Sequence, residues 1–172
     1  MTMCLVVMGV SGSGKTTVAE GLASRLAWPV AEGDRFHPAA NIAKMESGLP
    51  LDDEDRAPWL RSIRDWIGER AAAGQNAVVT CSALKRSYRD LLRGVDASVR
   101  FVHLSGAGAV IAERLGARSG HFMPPRLLDS QFGDLEPLES GEAGITADVG
   151  AEPEEIIAHV LERLGLQGRA AT

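Results

Sequence analysis

Eight consecutive residues near the start of the chain have the types and spacing for phosphate chemistry. Gly9-Val10-Ser11-Gly12-Ser13-Gly14-Lys15-Thr16 matches G-x-x-x-x-G-K-[ST] in full, and Thr17 follows it. Glycines let the backbone curl so that successive N–H groups point inward at phosphate oxygens. A helix that starts at Lys15 aims its positive N-terminal end at the same place. Lys15 then reaches the β- and γ-phosphates, and the Thr16 hydroxyl is a Mg²⁺ ligand. The apolar run over residues 4–9 reads as a buried strand, and Val18, Leu22 and Leu26 keep a helical spacing over 15–26. That strand-to-helix context turns the pattern into an expectation of ATP or GTP binding. It leaves the acceptor of the phosphoryl group open.

The acceptor is addressed by a second cluster. A short strand over residues 28–34 ends in Gly33-Asp34, followed by Arg35-Phe36-His37-Pro38. A carboxylate at the carboxyl end of a strand beside a phosphate loop is placed to orient an acceptor hydroxyl and take its proton. A turn aspartate after glycine is also common, but the nearby phosphate loop and the basic cluster downstream favour the chemical role. The run Val78-Val79-Thr80-Cys81-Ser82-Ala83 carries no acid where a switch protein or motor would hold its magnesium. At 172 residues the chain also has little room for motor or transporter machinery.

These residues need a frame. Further buried strands are expected over 76–83, 99–106 and 144–150. Helices are expected over 57–74, 84–94, 109–120 and 153–165, with a loop and a short helix over 121–135. Alternating strands and helices predict an α/β fold with a parallel sheet and right-handed crossovers. The stretch from Arg35 to Asp53 is polar and rich in breakers, Pro38, Gly48 and Pro50 among them, and reads as an insertion on a single domain. A second polar insertion covers about 118–126, and the segment 130–144 carries no motif.

Bulk composition narrows the partners. Apolar residues make up 45% and charged residues 24%, ordinary for a globular chain. A net charge of −5 argues against a nucleic-acid partner, so an anionic substrate needs a local basic cluster. No segment approaches the length of a membrane span, and the N-terminal apolar run lacks the basic leader of a signal peptide. The reading is a cytoplasmic protein. Cys4 and Cys81 fit neither a zinc site nor a disulfide framework and read as buried thiols.

Four blocks, MGVSGSGKT, EGDRFHPAANIAKMESGLPLDDEDRAPWL, CSALKRSYRDLLR and RLGARSGHFMP, occur in that order. Together they resemble gluconate kinase of the small P-loop type, from about Leu5 to Val149. The resemblance implies a three-layer P-loop kinase fold: a five-stranded parallel sheet flanked by helices, with a substrate-binding insertion at about 35–73 and a lid at about 115–126. It implies phosphorylation of D-gluconate at its 6-hydroxyl with ATP and Mg²⁺, and a homodimer, which the resembled family often forms. It also suggests that Arg114 stacks on adenine and that Arg118 reaches the ATP phosphates from the lid, with His121 joining the closed site. Arg56 either holds the substrate carboxylate or pairs on the surface with Asp52 or Asp55. His37 can bond a hydroxyl, Asn41 and Lys44 lie in the same insertion, and small Ser82 lets substrate approach the backbone. Lys85 and Arg89, four apart, share a helical face suited to an anion. Tyr88 is core or site. Trp59, Trp66, His103 and His159 read as structural. Two alternatives stay beside this reading: a sibling kinase for shikimate or a nucleoside monophosphate, and an ATP-binding module without catalysis.

Overall fold

A computed structural model of the chain describes residues 1–10, 12–106 and 125–166. The elements are β1 (Met3–Met8), α1 (Lys15–Leu26), β2 (Val30–Glu32), a 3-10 turn (Gly33–Phe36), α2 (Ala39–Glu46), α3 (Asp53–Ala72), β3 (Ala77–Thr80), α4 (Arg86–Leu92), β4 (Ser98–Ser105), α5 (Pro125–Asp134), β5 (Gly144–Asp148) and α6 (Pro153–Arg163). All neighbouring strands pair in parallel, in the order β2-β3-β1-β4-β5. This is the predicted five-stranded α/β sheet with its flanking helices.

Central β1 is buried from Cys4 to Met8, which is why it reads as an unbroken apolar run rather than an alternating one. Helix α1 turns Val18, Ala19, Leu22, Ala23 and Leu26 inward, and it packs beside α6, which contributes Ile156, Ile157, Val160 and Leu161. On another flank α3 packs against α4. Both cysteines are buried free thiols, and burial pushes each up to about 12, so neither is a nucleophile at neutral pH.

The polar stretch after β2 is more ordered than its composition predicts. It contains α2, whose one buried residue is polar Asn41, so no apolar stripe announces the helix. Helix α3 begins at Asp53, four residues before the expected start at 57. Its first turn is closed by a capping box: Asp55 N donates to Asp52 Oδ1 at 2.8 Å, and Asp52 N donates to Asp55 Oδ2 at 3.0 Å. Pro58 sits inside this helix. Of the expected lid, residues 115–124 lie outside the described residues, and 125–126 open α5. The helix expected over 109–120 lies outside them as well.

Candidate active site

The carboxyl ends of β1, β2 and β3 meet one cavity of about 650 Å³, its open mouth included. Ligands of open α/β sheets bind at this edge. Lys15 lines the cavity from the first turn of α1, Asp34 and His37 from the segment after β2, Arg56 and Trp59 from α3, and Ser82 from the segment after β3.

The phosphate loop leaves β1 at Gly9, whose φ is +148°. A Cβ there would come within 2.8 Å of both the Leu104 carbonyl oxygen and Ser13 Oγ, so only glycine fits. The Gly9 N–H donates to the Ser82 carbonyl at 3.3 Å, tying the loop to the end of β3. Lys15 Nζ donates to the carbonyls of Gly9 at 3.0 Å and Val10 at 3.1 Å, which holds the ammonium over the loop. Ser13 Oγ is buried and without a hydrogen-bond partner among the described residues. Thr16 and Thr17 lie in the first turn of α1, as expected. Ser11, Arg114, Arg118 and His121 lie outside the described residues.

The 3-10 turn that presents Asp34 is clamped from two sides. Gly33 N donates to Thr80 Oγ1 at 3.0 Å, and Trp59 Nε1 donates to the Gly33 carbonyl at 2.7 Å. A Cβ on Gly33 would lie 2.0 Å from the Thr80 carbonyl oxygen, so the close approach requires glycine. The Asp34 carboxylate projects outward, 94% exposed, with its Oδ1 4.0 Å from His37 Nε2. The His37 ring stacks on the Trp59 indole with centroids 4.2 Å apart and planes 13° apart. Trp59 is thus both core and wall of the cavity, where the sequence suggested core alone. Trp59→Phe keeps the stack and leaves the Gly33 carbonyl without its donor. It is expected to cost about 1–3 kcal/mol of stability, read by denaturant unfolding.

Arg56 is buried, and its side-chain partners are not Asp52 or Asp55. Its Nη1 donates to the Tyr88 hydroxyl at 3.0 Å and to Asp134 Oδ2 at 3.1 Å. Both of its side-chain hydrogen bonds among the described residues leave from Nη1, so the rest of the guanidinium fork can meet an anion in the cavity. Burial works against the charge, and the Tyr88 hydroxyl and Asp134 more than offset it, leaving Arg56 above its usual value. Tyr88 in turn donates to Asp53, so it supports the site from behind.

Comparison with known proteins gives this cavity a lineage. A family model described as AAA domain matches residues 4–138. The gluconokinase of Gluconobacter oxydans (strain 621H) is 54% identical over 159 residues, 90% of this chain and 89% of that one. The chain belongs to the gluconokinase family. A crystal structure of a gluconokinase from Sinorhizobium meliloti 1021 is 45% identical, with a TM-score of 0.82 over 96% of this chain and 97% of that one. An unliganded sugar kinase from Janibacter sp. HTCC2649 is 50% identical, with a TM-score of 0.94 over the full length of both chains.

Within this member of the gluconokinase family, one expected surface does not form. Lys85 lies before α4 with extended backbone, and its Nζ pairs with Asp53 Oδ1 at 2.9 Å. Arg89 is fully buried and cannot meet a substrate anion. It donates through Nε and Nη2 to Glu142 at 2.7 and 2.9 Å, and through Nη1 to the Ala83 carbonyl at 3.0 Å. The basic pair is therefore split: one member braces α3 and the other braces the segment after β3. The motif-free stretch 130–144 supplies the counterpart, with Glu136 accepting from Arg86 N at 2.7 Å and Glu142 accepting from Arg89 and Arg93. Leu127, Ser130 and Gln131 of α5 also line the cavity. Nothing in the local sequence of α5 marks these residues.

Proposed function

We propose that this chain transfers the γ-phosphoryl group of MgATP to the 6-hydroxyl of D-gluconate, giving 6-phospho-D-gluconate and ADP. One observation carries the proposal: Lys15 of the phosphate loop shares a single cavity with Asp34, His37 and Arg56. A shared cavity is what the donor and acceptor ends of a phosphoryl transfer need. Names of relatives at 54% and 45% identity support the same acceptor.

In this reading the loop N–H groups and the α1 N-terminus cradle the triphosphate. Lys15 stabilises charge on the transferring oxygens. Asp34 accepts a hydrogen bond from the acceptor hydroxyl, orients it in line, and takes its proton as the new P–O bond forms. Arg56 meets the gluconate carboxylate at the other end, His37 bonds the acceptor hydroxyl beside Asp34, and Ser82 bonds a hydroxyl between. The described residues fit Mg²⁺. Thr16, in the first turn of α1, offers a hydroxyl oxygen, and Glu32, the last residue of β2, has a buried Oε1 with no hydrogen-bond partner among the described residues. Thr16 would hold the ion from the protein side, and its charge would offset that of the phosphates.

A coupled assay with MgATP and a panel of D-gluconate, shikimate and nucleoside monophosphates tests the reading. Turnover with gluconate well above the others is expected. No turnover with gluconate beside clear turnover with another acceptor overturns it. Lys15→Ala is expected to weaken nucleotide binding and lower kcat together, because its charge meets ground state and transition state alike. Measuring nucleotide Kd and kcat separately checks this, and unchanged values contradict the role.

A further inference from the structure

A neutral histidine can either give or take a hydrogen bond at a given nitrogen, and the surroundings of His37 remove the choice. Asn41 of α2 is 4% exposed. Its Nδ2 lies 2.9 Å from the Asp55 carbonyl oxygen and 3.2 Å from His37 Nδ1. A backbone carbonyl only accepts, so the amide face turned toward it is the nitrogen. That NH₂ has two hydrogens and no free lone pair to offer, so its second contact obliges His37 Nδ1 to accept. In a neutral ring the proton then sits on Nε2. The ring has little freedom to turn, since its side chain is 5% exposed and stacked on Trp59. Burial above all pushes His37 below its usual value; Arg56 acts in the same direction and Asp34 opposes it.

We propose that Asn41 is a positioning residue for phosphoryl transfer: it holds His37 as the Nε2–H tautomer, so that the ring presents a donor, and only a donor, beside Asp34. The proposal rests on the reading of this cavity as the acceptor site. Nε2 and Asp34 Oδ1 are 4.0 Å apart, close enough for one hydroxyl oxygen to reach both. Such a hydroxyl accepts from His37 and donates to Asp34, which sets its orientation before the proton moves. A hydroxyl, as in a polyol, satisfies this place, since it has a lone pair for Nε2–H and a proton for Asp34. An ammonium or amide N–H does not.

Long-range ¹H–¹⁵N spectra of the histidine rings in the unliganded protein read the tautomer directly. His37 is expected to show a protonated Nε2 and a bare Nδ1. Asn41→Leu, which keeps the size and removes the donor, is expected to give mixed tautomers. It is also expected to lower kcat/KM for gluconate about 10- to 100-fold, with the ATP KM within about twofold because the phosphate loop is untouched. A wild-type ring protonated at Nδ1 overturns the proposal, and it does so without any variant if Asn41→Leu fails to fold. An unchanged tautomer or an unchanged kcat/KM in the variant overturns it too. A protein with the expected tautomer that does not phosphorylate gluconate instead overturns the acceptor assignment, so the two failures are distinct.

Discussion

Asp34→Ala is expected to lower kcat by about 10²- to 10⁴-fold while the ATP dissociation constant stays close to that of the unaltered protein. The two effects separate because of where the carboxylate sits. It is 94% exposed and projects from a turn held by other groups. Thr80 Oγ1 holds Gly33 N, and Trp59 Nε1 holds the Gly33 carbonyl. Removing the Asp34 side chain therefore leaves the backbone of the turn anchored and the phosphate loop untouched. What disappears is the group proposed to orient the acceptor hydroxyl and receive its proton. Single-turnover kinetics with gluconate, beside a nucleotide titration, checks both halves. Retained turnover refutes the role of Asp34, and a large loss of ATP affinity refutes the separation of donor and acceptor ends.

Glu142→Gln is expected to destabilise the fold by about 3–5 kcal/mol, as breaking a buried ion pair from one side does. For a chain of this size that corresponds to a fall in Tm of roughly 10 °C. Glu142 and Arg89 both have fully buried side chains, so the glutamine leaves the Arg89 charge in the interior with no countercharge of equal worth. Burial alone would raise the Glu142 carboxyl; hydrogen bonds from Arg89 and Arg93 outweigh it and hold it down at about 2. A carboxyl with a depressed folded value contributes stability that is present above its unfolded value and lost as pH falls toward the folded one. For Glu142 the loss runs from about 4.5 down to about 2. Thermal unfolding followed across that window is expected to show a steeper acid limb in the unaltered protein than in Glu142→Gln. Equal Tm values or equal slopes would show that the pair adds nothing. Replacing Arg89 and Glu142 together by apolar residues of similar size is expected to cost less than the single change, since no buried charge is then left alone.

Arg89 also shows where reading the chain by spacing stops. Four residues separate it from Lys85, which on a regular helix puts both on one face. The helix, however, begins at Arg86, and the Lys85 backbone is extended. The partner that decides the fate of Arg89 stands 53 residues away, in a stretch with no recognisable motif. Helix α2 escaped for a related reason. Its one buried position is a polar asparagine that bonds Asp55 and His37, so what it buries is not apolar. The early start of α3 was legible in principle, since Asp52 and Asp55 have the spacing of a capping box with aspartate in place of glutamate.

By itself the sequence determined what depends on neighbours along the chain. The phosphate loop is eight residues long, its backbone shape follows from its own glycines, and Lys15 reaches back to Gly9 and Val10 without help from elsewhere. The alternation of apolar runs and helical stripes likewise determined a parallel α/β sheet, because each element must bury what its own period exposes. Only the tertiary structure decided which charges meet. Arg56 finds Asp134 across 78 residues, and Trp59 finds the Gly33 carbonyl across 26. The physical reason is that a buried guanidinium or indole N–H must be satisfied by whichever acceptor the packing brings within reach. The chain contains 23 acidic residues, and nothing local distinguishes the one that will arrive.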